Sequence, residues 1–177
     1  HYPTRRLEAE GIRDALLAVS GRLDPTLYGR PIRPHRTAED ASKRLFSGPL
    51  DGEGRRSLYL QMSIMAPPAF LDAFDLPAPK MPSGKRNVTS VPSQSLVMLN
   101  DPFLRSLAGH WAARLVKTPH PTPAKRITAM FVQAFARTPS RMKPPWNCHH
   151  SVIYVLIINT HRNRVSAVIR LIWQNGL

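Results

Sequence analysis

"DPFLRSLAGHWAARLVKTPHPTPAKRITAMFVQAF", residues 101–135, carries two helices in plain view. Asp101-Pro102 opens the first, an acid able to cap the free amides ahead of a proline that tolerates the first helical turn. Phe103, Leu104, Leu107, Ala108, Trp111 and Leu115 then recur at steps of three and four, which places them on one face. After the spacer "TPHPTP", Thr122-Pro123 repeats the device, and Ile127, Met130, Phe131, Ala134 and Phe135 form a second stripe. Two amphipathic helices joined by a short linker are expected to pack antiparallel.

Working back toward the N-terminus, "QSLVMLN" after Pro92 predicts a short buried helix, with Ser90, Ser93 and Ser95 expected as caps and scaffold rather than nucleophiles. "APPAFLDAFDLP" predicts another, pairing Phe70 with Phe74 and ended by Pro77. "RRSLYLQMS" alternates, Leu58, Leu60 and Met62 against Ser57, Tyr59 and Gln61, and predicts a short strand. From Thr26 to Gly54 the chain is rich in Pro, Gly and Arg without a period, and reads as a long loop able to carry a binding surface. "TRRLEAEGIRDALLAVSGRLDP" predicts a first helix whose apolar face is Ile12, Ala15, Leu16 and Val19, stopped at Gly21 with Leu23 folding back. The fold class that results is mainly α: a small helical domain with long Pro-rich loops and at most one or two short strands.

Composition fits that reading. The 177 residues suffice for one ordinary domain, and the 18 prolines break regular structure into short pieces. The first residue is His1 rather than Met, and no leader or unbroken apolar span is visible, so the sequence reads as a piece of a longer protein with no membrane span. Cys148, the one cysteine, rules out an internal disulfide and a Cys-x-x-Cys-His haem attachment in this chain. The formal net charge of +14 is uneven: all 11 acids lie at or before Asp101 with 14 of the 25 Lys and Arg, leaving 14 − 11 = +3 there and 11 unopposed basic residues afterwards.

Taken in order, "RRLEAEGIRDALLAVSGRLDP", "RRSLYLQMS" with "FLDAFDLP", "KRNVTSVPSQSLVMLNDPFL" and "FVQAFARTPS" resemble the C-terminal domain of unknown function, number fifteen fifty-three, of large planctomycete proteins that also carry a cytochrome c domain. The resemblance covers residues 1–140. It implies an extracytoplasmic, multidomain parent with haem possible in a separate domain, other domains of that parent as partners, and no established catalytic residues. Residues 141–177 depart from the family pattern, being free of acids and of helix caps. They read as a frameshifted or misassembled end, with a lineage-specific tail as the alternative; the run "SVIYVLII" suits a strand.

Few constellations suggest chemistry. Cys148, His149, His150 and His161 hold metal-ligand atoms in no standard zinc spacing, so no metal site is assigned. Ser140 and Lys143 spell a Ser-x-x-Lys without its companion motifs. Lys85, Arg86, Asn87 and Thr89, ahead of a helix start, form a candidate anion site, with a solvated loop as the plain alternative. Trp111 and Tyr59 lie in apolar periodic segments and are expected in the core. Functionally, the expectation is a non-catalytic binding or assembly module facing a protein or polysaccharide, without cofactor in this chain. The alternatives are part of an enzyme of polysaccharide breakdown, with Glu39, Asp40, Asp51 and Glu53 as its loop acids, and non-specific nucleic-acid binding through the basic surface. Sequence-specific nucleic-acid recognition is not expected, because the basic residues are dispersed.

Overall fold

The structure, a computed structural model, describes residues 6–119 and 122–138. The expectations for Ser140, Lys143, Cys148, His149, His150, His161 and the 141–177 segment lie outside the described residues. Among the described residues there are five α-helices, α1 (Ala9–Ser20), α2 (Ala69–Ala73), α3 (Pro92–Asn100), α4 (Pro102–Lys117) and α5 (Pro123–Phe135). Pairing between extended segments is limited there to three isolated bridges. The protein is mainly α, with long Pro-rich connections, as the periodicity predicts. The described residues fall into two compact units, one ending at Leu107 and the other beginning at Ala108, with the boundary inside α4.

In the first unit, α1 stops at Gly21, which takes the left-handed conformation (φ 75°) that a side chain would oppose. Its N–H donates to Ala18 and that of Arg22 to Leu17, satisfying carbonyls the helix would otherwise leave free. Leu23 packs back against Leu17, as expected. The buried face differs from the expected one. Ala9, Arg13, Leu17 and Ser20 are buried, Ile12, Leu16 and Val19 are half-buried, and Ala15 is exposed. A charged residue therefore sits in the middle of the helix's inner stripe.

Two apolar clusters hold the unit together. Ala9, Leu60, Leu71 and Phe74 gather Val97 and Met98 of α3, while Leu17, Phe103 and Leu107 gather Leu50 and Leu104. Phe70 belongs to both, its ring 5.1 Å from Phe74 and 5.4 Å from Phe103. The predicted pairing of Phe70 on α2 with Phe74, just past its last residue, is thus part of a larger aromatic seam, although the helix ends at Ala73, ahead of the expected stop at Pro77.

The strand expected over "RRSLYLQMS" does not form. Ser57–Tyr59 is a 3-10 turn, and pairing along the stretch is limited to two single bridges, Arg55 to Asp24 and Leu60 to Ile32. Burial inverts the alternation at its start, where Ser57 is 2% exposed and Leu58 75%, and follows it at Leu60 and Gln61, the one buried and the other exposed. The cause is polar. The Ser57 N–H and hydroxyl both donate to the Asp14 carboxylate at 2.7 Å, which draws the serine inward and bends the backbone.

α3 starts at Pro92 as expected, but its serines are not caps. Val91 occupies the capping position and has no hydroxyl to offer, and Ser90, Ser93 and Ser95 are exposed. Nor is the helix buried as a whole: Gln94 is its buried residue and Leu96 is 48% exposed. Caps do appear where the residue type and position coincide. Asp101 accepts from the Phe103 N–H at 2.8 Å to open α4.

The second unit holds the rest of α4 and α5. Trp111, Leu115 and Met130 are buried, continuing the predicted stripes. The Trp111 indole donates to Gln133 at 2.8 Å, tying the two helices. Thr122 accepts from the Lys125 N–H, the predicted cap of α5. Phe131 and Phe135 stack 5.0 Å apart beneath the Arg137 guanidinium.

Candidate functional site

The buried cation of α1 organises the first unit. Arg13 is 5% exposed, and burying a guanidinium costs heavily unless its donors are met. They are. One terminal nitrogen donates to the Arg55 carbonyl (2.9 Å) and the Ser57 hydroxyl (3.2 Å), the other to the Asp51 carbonyl at 2.7 Å. Its central carbon lies 5.5 Å from the centre of the Phe103 ring, and the Asp14 carboxylate stands 3.8 Å from one terminal nitrogen. Burial pulls its pKa below the ordinary value, with the charges of Asp14 and Asp51 opposing, and a guanidinium stays protonated under any such shift.

That network fixes the loop from Asp51 to Ser57. Gly52 is at φ +63°, and a Cβ there would stand 2.7 Å from an Arg13 terminal nitrogen, so this approach needs glycine twice over. Asp51 accepts from the Arg22 side chain and from the Glu53 N–H. Desolvation raises its pKa, but the Arg22 hydrogen bond and charge outweigh that and hold it below the usual carboxylate range.

Beside this network lies a cleft of about 330 Å³. Prolines 34, 49, 67, 68 and 102 supply rigid walls, Phe70, Leu71 and Phe103 an apolar floor, and His35, Arg36 and Asp101 the polar edge. Arg36 is steadied by a bond to the Ala66 carbonyl at 2.8 Å, and His35 by the Ser47 hydroxyl at 3.4 Å. Rigid walls of mixed apolar and cationic character suit binding.

The sequence candidates are placed as follows. Arg86 is held by two carboxylates of the N-terminal segment, Glu10 at 2.7 Å and Glu8 at 3.3 Å, and these raise its pKa against the pull of desolvation. Thr89 donates through its N–H and hydroxyl to Asp75, both at 2.8 Å. Lys85 and Asn87 are exposed. An incoming anion would meet Glu8, Glu10 and Asp75 at these groups, so the segment is built as a strap tied to α1 and to the turn after α2.

Of the loop acids, Glu39, Asp40 and Asp51 are likewise engaged. Glu39 accepts from the Ser47 N–H at 2.6 Å, and Asp40 from Ser42 and Lys43, whose hydrogen bonds hold it far below the usual range. Glu53 is exposed on a left-handed backbone, φ 53°. Trp111 is in the core as expected, whereas Tyr59 is half-buried under the Arg55 guanidinium, 4.0 Å from its ring centre, because the turn at Ser57–Tyr59 rotates it off the inner face. Among the described residues no cluster of His, Cys, Asp or Glu could hold a metal ion, and no helix is long and apolar enough to cross a membrane.

Arg13 is the residue that sequence reasoning missed. Its signal was its spacing, four residues from both Ala9 and Leu17, together with "DGEG", a segment slender enough to approach a buried guanidinium. Compared with known proteins, the chain matches no curated protein and no solved structure. Residues 1–143 match a family described as PSD1, protein of unknown function (DUF1553). With four-fifths of its length accounted for in this way, the chain belongs to that family.

Proposed function

We propose that this chain is a non-catalytic binding or assembly module of a large extracytoplasmic multidomain protein, with any cytochrome c domain and its haem in a separate part of the parent. The setting and the haem association rest on the family resemblance. The binding reading rests on the cleft, and one observation carries it: Asp101, the single carboxylate lining the cleft, is spent as the cap of α4. Glycoside hydrolysis in its usual form needs two carboxyl groups facing each other across a bond, and here Glu39, Asp40 and Asp51 brace turns instead. Rigid proline walls and an apolar floor fit recognition of a protein or polysaccharide surface, with other domains of the parent as first partners.

The test is turnover. The full chain, incubated with neutral and acidic polysaccharides and chromogenic glycosides, should release no product above a boiled control. Turnover that falls at least a hundredfold in Asp101→Asn, with circular dichroism unchanged, would replace this reading with an enzymatic one.

A further inference from the structure

The loop 26–38 holds an exposed tyrosine in a conformation that tyrosine disfavours. Tyr28 has φ +66°, in the left-handed region where a Cβ crowds the following carbonyl. Its side chain is 80% exposed, so the strain serves no packing in the core. The backbone is nevertheless fixed at both polar groups. Its N–H donates to the Tyr59 hydroxyl at 2.7 Å and its carbonyl accepts from Arg55 at 2.6 Å, while that guanidinium lies over the Tyr59 ring. The loop is also anchored at both ends: Asp24 N–H donates to Gly54, and Ile32 exchanges bonds with Tyr59 and Gln61, each at 2.8 Å. Strain held by so many constraints is characteristic of functional positions.

We propose that this loop is a preformed docking surface for an acidic segment of a protein partner, with Tyr28 as anchoring ring and Arg30 and Arg33 as its charges. The proposal deepens, and rests on, the binding-module reading. Charge supports it: between Thr26 and Ala38 the sequence has Arg30, Arg33, His35 and Arg36 and no acid. Both Arg30 and Arg33 are exposed, and Arg33 lies 5.1 Å from the ring of Phe46, itself 39% exposed. Tyrosine and arginine are the residues that dominate protein interfaces, and a surface ordered before binding loses little entropy on association. A peptide fits better than a sugar. Leu27, 57% exposed beside Tyr28, adds aliphatic area of no use to a hydroxyl-rich ligand, and the Tyr28 amide groups that could bond such a ligand are consumed internally.

The experiment uses the full chain and a fluorescein-labelled peptide of alternating Glu/Asp and Leu/Phe, a control with Lys in place of every acid, and fluorescein-labelled polygalacturonate. Anisotropy should show the acidic peptide bound at least tenfold tighter than the control, with affinity falling as salt rises from 50 to 300 mM. Tyr28→Gly separates the two roles of the site. Glycine accepts φ +66° without strain, so the urea midpoint should hold or rise while peptide affinity drops at least tenfold. Arg30→Gln with Arg33→Gln should flatten the salt dependence. Equal binding of both peptides, unchanged affinity in Tyr28→Gly, or tighter binding of polygalacturonate than of peptide would each overturn the proposal. None of these touches the module reading, which fails only if the turnover assay is positive.

Discussion

Gly52 and Arg13 together make a perturbation whose size follows from the geometry. Gly52→Ala adds a methyl 2.7 Å from an Arg13 nitrogen, at a φ of +63°. The backbone contributes about 1–2 kcal/mol of that cost. The contact would be cheap if the guanidinium could swing away, but that nitrogen is bonded to Asp51 at 2.7 Å, and moving it breaks a charged hydrogen bond of about 1.5–3 kcal/mol. Gly52→Ala should therefore cost about 2.5–5 kcal/mol. Arg13→Met keeps the apolar stem, takes the donor from the Arg55 carbonyl and leaves the Asp51 carbonyl with the Gly54 N–H alone at 3.3 Å; with relief of guanidinium desolvation offsetting part of the loss, a cost of about 2–4 kcal/mol is expected. In the double variant no guanidinium remains to clash, so Gly52→Ala adds only its backbone share. Urea unfolding of the four proteins, followed by circular dichroism with the slopes compared, should show a coupling of about 1.5–3 kcal/mol. Additivity within about 0.5 kcal/mol would refute the idea that this glycine is there to admit the arginine.

The strap is pH-sensitive through Asp75, whose carboxyl is held below its ordinary value by the Thr89 N–H and hydroxyl and by Arg6. A depressed folded pKa gives stability that is present above the unfolded value and lost as pH falls through the folded one; acid titration of unfolding from pH 5 downward should show this loss, and Asp75→Asn should make it shallower while the shares of Asp40 and Asp51 remain. Thr122→Ala, at a true cap, should cost about 0.5–2 kcal/mol in urea, while Ser93→Ala and Ser95→Ala, exposed and outside the cap, should stay within about 0.5 kcal/mol. Duplex or single-stranded nucleic acid should bind the chain no tighter than about 10⁻⁶ M at physiological salt and without sequence preference, read by anisotropy.

The helices were legible because their signals are local. Asp101 and Thr122 stand immediately before prolines, and the stripes at Phe103, Leu107, Trp111 and Leu115 need no tertiary information to be read. The misses share a cause. Ser57 turns inward because Asp14 and Arg13, more than forty residues away in sequence, offer it partners, and that attraction defeats the alternation of "RRSLYLQMS". The buried face of α1 shifted for the same reason: once three acceptors from the 51–57 loop surround Arg13, the helix turns its charge inward. Of the candidate site, the long irregular loop was readable from its Pro, Gly and Arg content, but the cleft, assembled from prolines spread between residues 34 and 102, was not. The strained backbone at Tyr28 leaves no mark in the sequence beyond the glycine that follows it.

The two parallel bridges, Asp24 to Arg55 and Ile32 to Leu60, give the irregular half of the first unit a property usually reserved for sheets. The amides of Asp24, Ile32 and Gln61 are bonded to carbonyls roughly thirty residues distant. Deuterium should enter them slowly, on the timescale of the helices, whereas the strap around Lys85 exchanges at once. The distinction also maps where evolution or an engineer can lengthen the chain. Residues added near Ser83 or Gly84 meet open space, while an insertion between Asp24 and Ile32 would slip the register of both bridges and loosen the support beneath the cleft.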